Sequence, residues 1–108
     1  MTDLAPLDIV LAGVRVGECN DPRRCVVIGV RPPGEYLILP CSAQPDLYRE
    51  GADFLISSDH PDFPATGLKK TSYVMDVEAQ LIEEERMQKR YGRLQGLLAE
   101  AFEEWLER

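Results

Sequence analysis

Short apolar blocks recur along most of this chain and give way to a helical period only near its end. Ile9-Val10-Leu11, continuing past Gly13 to Val14-Arg15-Val16, is rich in β-branched residues, and the glycine suits a strand bent or bulged around a small barrel. Cys25-Val26-Val27-Ile28-Gly29-Val30 is a nearly continuous apolar run of strand length and predicts a central strand. Pro32-Pro33-Gly34 breaks it, and Tyr36-Leu37-Ile38-Leu39 follows, stopped by Pro40, so the two runs predict an antiparallel pair. Phe54-Leu55-Ile56 and Ser72-Tyr73-Val74-Met75 predict further strands, and residues 79–82 a last one. Residues 41–51 read as a polar loop, and residues 57–67, with His60-Pro61 and Phe63-Pro64, as an ordered excursion. Many short strands with turn residues between them predict a mainly β fold, a small barrel.

The period changes at the C-terminus. Leu94, Leu97, Leu98, Ala101, Phe102, Trp105 and Leu106 recur at helical spacing, and glutamates occupy the other face. This predicts an amphipathic helix over about residues 94–107, docked on the barrel by its apolar stripe. Tyr91-Gly92 reads as the end of a shorter helical turn beginning near Glu84, because glycine caps helices by taking positive φ.

With 108 residues, 44% hydrophobic and 29% charged, the chain suits one ordered domain over residues 1–108 with a short tail at about 1–6. No apolar run approaches the roughly 20 residues that cross a bilayer, and Met1-Thr2-Asp3 opens on an acid, so the expectation is a cytoplasmic protein with no membrane contact. Cys19, Cys25 and Cys41 are odd in number and irregularly spaced, which predicts free thiols. His60 is the only histidine, so a histidine-rich metal site or a Ser-His-Asp relay lacks parts, and neither metal nor cofactor is expected. His60 itself receives no role.

The net charge of −7 opposes a broad grip on nucleic acid, but the charges are unevenly spread. Arg15, Arg23, Arg24, Arg31, Lys69 and Lys70 fall in the strand-rich part, whereas Glu83, Glu84, Glu85, Glu100, Glu103, Glu104 and Glu107 load the last quarter. A positive groove on an acidic body is compatible with that order.

Four strings, taken in sequence, resemble the MazF/PemK family of toxin endoribonucleases: Asp21-Pro22-Arg23-Arg24-Cys25-Val26-Val27-Ile28, Leu39-Pro40-Cys41-Ser42-Ala43-Gln44, Thr66-Gly67-Leu68-Lys69-Lys70-Thr71-Ser72-Tyr73-Val74, and Tyr91-Gly92-Arg93-Leu94. The resemblance runs over roughly residues 7–106. It implies an SH3-like barrel with helical additions, cleavage of single-stranded RNA without a metal by 2′-hydroxyl attack on the adjacent phosphate, a homodimer, and a small antitoxin partner. It places the catalytic residues at Arg23 and Ser42, with Arg15, Arg24, Lys69 and Lys70 as RNA-binding residues. The chain departs from the family pattern in carrying Arg-Arg where Arg-Pro is usual, in a short first connection, and in its acidity.

Chemically, such a reaction needs positive charge and hydrogen-bond donors aimed at the phosphorane oxygens, and a guanidinium supplies both in a planar fork. A one-residue shift of register would exchange Arg23 and Arg24, and adjacent strand residues face opposite sides, so one of the two is expected to enter the groove. The alternative function is a barrel of the same fold acting through protein contact, either an inactive binding module or a gyrase poison of the CcdB type. Trp105 and Leu106 near the C-terminus invite that comparison.

Overall fold

The structure, a computed structural model, describes residues 4–14 and 22–108. It is mainly β, with seven strands and one C-terminal helix: β1 (Asp8–Gly13), β2 (Pro22–Arg31), β3 (Glu35–Ser42), β4 (Phe54–Ile56), β5 (Ser72–Val74), β6 (Gln80–Glu83), β7 (Met87–Arg93) and α1 (Gly96–Glu107). All pairings are antiparallel, in the order β4-β5-β3-β2-β1-β7, with β6 alongside β3. No helix is long and apolar enough to cross a membrane among the described residues.

Strand alternation sorts the apolar residues into two buried layers. Ile9, Val26 and Leu39 form one cross-strand row on the face that α1 covers, packed with Phe54, Val74 and Phe102. Val10, Cys25, Val27 and Ile38 point to the opposite face, where Leu4, Tyr36, Ile82 and Met87 join them. Ile82 and Met87 come from β6 and β7, which flank β3 and β1 respectively, so the sheet curls to bring these side chains together. Leu4, placed by sequence in the tail, is only 6% exposed and belongs to this second layer.

Pro40 does not stop β3. It pairs with Cys25, and its carbonyl accepts a hydrogen bond from the Met75 N–H at 2.9 Å, on the flank away from β2. The nitrogen and carbonyl of one strand residue point the same way, so the missing donor faces the gap between β6, which pairs with residues 35–38, and β5, which pairs with 41–42. No bond to β2 is lost.

The helical turn expected from Glu84 to Gly92 is a 3-10 turn at Glu84–Arg86 followed by strand β7. Glu, Arg, Met, Gln and Lys favour helices locally, but pairing with β1 and burial of Met87 override that preference. Gly92 is required for closeness rather than for positive φ: a Cβ there would collide with the backbone of Ala65 and Thr66, and one on Gly67 would collide with the backbone of Tyr91. The third and fourth sequence strings therefore meet in space. Positive φ falls instead at Gly96, at +58°, where α1 begins two residues later than its apolar stripe suggested. Leu94 is buried ahead of the helix, whereas Ala101, Leu97 and Leu106 are exposed, so the buried stripe narrows to Leu98, Ala99 and Phe102 with Trp105 half-buried.

The segment after β3 is tied down by Asp53, whose carboxylate is almost fully enclosed. Its Oδ1 accepts from Arg49 Nη2 and from the Asp76 N–H, both at 2.8 Å, and its Oδ2 accepts from the Arg49 N–H at 2.9 Å. Burial opposes ionisation of Asp53, but the hydrogen bonds from Arg49 and Asp76 outweigh it and hold the carboxyl below its ordinary value of 3.8. A folded-state pKa below the unfolded one means stabilisation that is complete above about pH 4 and fades as the pH falls through the folded pKa. The melting temperature of the protein should therefore fall more steeply below pH 4 than that of Asp53→Asn. Parallel pH profiles for the two proteins would disprove this.

Candidate functional site

The antiparallel register of β1 with its two neighbours builds the floor of a groove. Arg24 lies across from Leu11, and Leu11 lies across from Lys89 on its other side, giving a row of Lys89, Leu11 and Arg24. Arg23, one residue earlier, pairs with Ala12. The end of β3 contributes Cys41 and Ser42, and the approach to β5 contributes Lys70 and Ser72. Of these, Leu11, Arg23, Arg24, Cys41, Ser42, Lys70 and Ser72 converge on an open groove of about 490 Å³, and Lys89 lies outside its lining.

Four of the six residues singled out from the sequence thus come together. Lys69 is exposed and does not line the groove, and Arg15 lies outside the described residues. Both arginines line the groove, contrary to the expectation that strand alternation would admit one. They sit at the very start of β2, next to Pro22, which lines the groove as well.

The arginines differ in their surroundings. The Arg24 Nε is fully enclosed yet has no hydrogen-bond partner, while its guanidinium lies 5.3 Å from the centre of the Tyr91 ring. No carboxylate among the described residues forms an ion pair with Arg23, Arg24, Lys70 or Lys89. In a chain of net charge −7 that leaves, among the described residues, a cationic patch with no paired carboxylate.

Ser42 is 6% exposed and its Oγ accepts the Gln44 N–H at 3.2 Å, a turn contact that shapes the groove edge. Its hydroxyl proton is donated to no described residue. Cys41 also lines the groove, but burial pushes its thiol well above the ordinary value, with the nearby Cys25 adding to the effect and Arg24 opposing it. Burial likewise raises Cys25 to about 12 against the pull of Arg23. Both are free, neutral thiols and poor nucleophiles at physiological pH. Cys19 lies outside the described residues.

His60 does not line the groove, and its Nδ1 accepts the Asp62 N–H at 3.0 Å. Asp62 in turn accepts the Leu98 N–H at 3.4 Å, so this loop reaches the first turn of α1. No group of three or more His, Cys, Asp and Glu side chains among the described residues is arranged to hold a metal ion.

Sequence reasoning missed Tyr91 and Lys89. The β1–β7 register slips between Ile9, which faces Gly92, and Val10, which faces Arg90, so Tyr91 is the extra residue of a β-bulge. Lys89 Nζ lies 5.1 Å from its ring centre. The cation-aromatic-glycine order was visible in the sequence, but reading residues 84–92 as helical hid the row. No family model matches the chain, and a search of curated proteins returns no match.

Proposed function

We propose that this chain is a metal-independent endoribonuclease of the MazF/PemK kind, cleaving single-stranded RNA at the groove. The observation that carries the reading is the convergence of Arg23, Arg24, Ser42 and Lys70 from three separate stretches of chain on one groove free of carboxylates among its described lining residues. In the reaction the ribose 2′-oxygen forms a bond to the adjacent phosphorus and the bond to the 5′-oxygen breaks. The 2′-hydroxyl proton passes to solvent, and the departing 5′-oxygen takes up a proton, leaving a 2′,3′-cyclic phosphate and a 5′-hydroxyl. Arg24 donates to the phosphorane oxygens from its guanidinium, Ser42 adds one neutral donor, and Arg23 and Lys70 hold the flanking phosphates. The resemblance favours Arg23 for the central role; the place of the Arg24 guanidinium in the lining beside Tyr91 favours Arg24, and the two are separable by substitution.

The direct test is incubation of the full chain with single-stranded RNA in buffer containing a chelator. Cleavage that persists with chelator and stops when the ribose at the scissile position lacks its 2′-hydroxyl is the expected result. Absence of cleavage, or cleavage of the deoxy-substituted strand, would sink the reading.

The reading extends to a cytoplasmic toxin-antitoxin pair, in which a disordered antitoxin segment folds over the groove and competes with RNA. It also extends to a homodimer, since an isologous contact would duplicate the groove. Sedimentation at tens of micromolar, a rough working concentration for a stable interface, should give a dimer, and a monomer there counts against it. The gyrase-poison alternative gains nothing from Trp105, whose indole Nε1–H donates to the Ala52 carbonyl at 2.8 Å and whose ring packs between Phe54 and Phe102.

A further inference from the structure

Phosphate chemistry gives no task to the aromatic residue of the groove. Tyr91 is the aromatic side chain of the lining, and its ring is half-buried, resting on the helix-side core at one edge and bordering the groove at the other. We infer that Tyr91 is a nucleobase-stacking subsite, with Lys89 and Arg24 holding the phosphates on either side of the stacked nucleotide. The inference rests on the RNA reading of the groove and names the part of the strand that the groove grips.

The geometry supports this in three ways. Placement comes first: Tyr91 is the unpaired residue of the β1–β7 bulge, and bulges re-aim side chains at sites beside sheet edges. The bulge is held from behind, because Gly67 and Gly92 allow the backbone at 65–67 to lie directly against the backbone at 91–92. Two cations lie over the ring, the Arg24 guanidinium at 5.3 Å and the Lys89 Nζ at 5.1 Å from its centre. Finally, the row Lys89, Leu11, Arg24 spans two strand spacings, about 10 Å, with the ring beside it. Alternating cations and aromatic rings is how single-strand binders track a backbone while stacking its bases.

Every base has a π-face, so this subsite distinguishes a nucleotide bearing a base from one without, rather than one base from another. The test is equilibrium binding of two labelled strands of about eight nucleotides, within the site sizes usual for single-strand binders. One is 2′-O-methyl RNA, which lacks the attacking hydroxyl, and the other is an abasic sugar-phosphate strand of equal length. Tyr91→Leu should weaken binding of the base-bearing strand about tenfold or more, the loss of one base–aromatic stack, and leave the abasic strand unaffected. Tyr91→Phe should bind both strands as the unsubstituted protein does.

Equal loss for both strands would mean that the ring only holds Arg24, and no loss for either would remove the subsite; each overturns the inference while sparing the groove. Failure of the groove reading is seen separately, in the abasic strand: no binding by the unsubstituted protein, or full binding by Arg24→Ala and Lys70→Ala, would remove groove and subsite together. Should Tyr91→Leu fail to fold, the unsubstituted protein suffices. Moving a single abasic position along the RNA should reveal one place where the missing base costs about tenfold, and a flat profile would overturn the proposal.

Discussion

Arg24→Ala should lower RNA-cleavage turnover by about a hundredfold or more, the scale seen when one preorganised donor to a developing oxyanion is removed. Stability should change by no more than about 1 kcal/mol, because the Nε has no hydrogen-bond partner among the described residues and the contact with the Tyr91 ring is worth about that much. Arg24→Lys should rescue little of the rate: an ammonium keeps the charge but lacks the planar fork. Arg23→Ala, by contrast, should act on substrate affinity, reducing the steepness of its salt dependence by about 0.7 for one lost phosphate contact on a single strand. Ser42→Ala removes one neutral donor, worth on the order of 1 kcal/mol. Steady-state kinetics at several salt concentrations separate these outcomes. If Arg23→Ala abolishes turnover and Arg24→Ala does not, the catalytic role returns to the residue that sequence register selects. If neither substitution matters, the ribonuclease reading fails.

The second large effect concerns α1. Phe102 is fully buried and packs edge-to-face with Phe54 at 5.2 Å between ring centres, so Phe102→Ala should cost about 3–5 kcal/mol. For a domain of this size that lowers the melting temperature by more than about 10 °C. Trp105→Ala should cost less, because the indole is only half-buried. Trp105→Phe then isolates the hydrogen bond to Ala52, worth about 1 kcal/mol. Thermal unfolding by circular dichroism measures all three. A Phe102→Ala protein melting with the unsubstituted one would show that α1 does not anchor the core.

Period-2 and period-3.6 patterning made much of the architecture legible in advance. The runs at 25–30, 36–39, 54–56 and 72–75 each mark a strand, and the last two turns of helix follow from the spacing of Leu98, Phe102 and Trp105. The pairing of β2 with β3 follows from the proline-glycine break between them. Arg23 and Ser42 were identifiable as candidates through the resemblance of their strings to the MazF/PemK family, and Arg24 and Lys70 as cations of the strand-rich part.

Local signals failed where a residue's neighbour in space differs from its neighbour in sequence. Glu84 to Tyr91 has helical propensity, yet the free edge of β1 and the close approach of residues 65–67 make β7 of it. Pro40 reads as a stop because the sequence does not reveal which flank of β3 its nitrogen faces; the change of partner from β6 to β5 decides that. Composition and periodicity alone determined a mainly β chain ending in an amphipathic helix, since burial of apolar residues demands those repeats whatever the topology. Tertiary structure alone decided that both arginines border one groove, that Lys69 lies outside its lining, and that Tyr91 is turned toward Arg24 and Lys89. Groove walls and bulges depend on strand register and curl, which are set by contacts between segments distant in the chain.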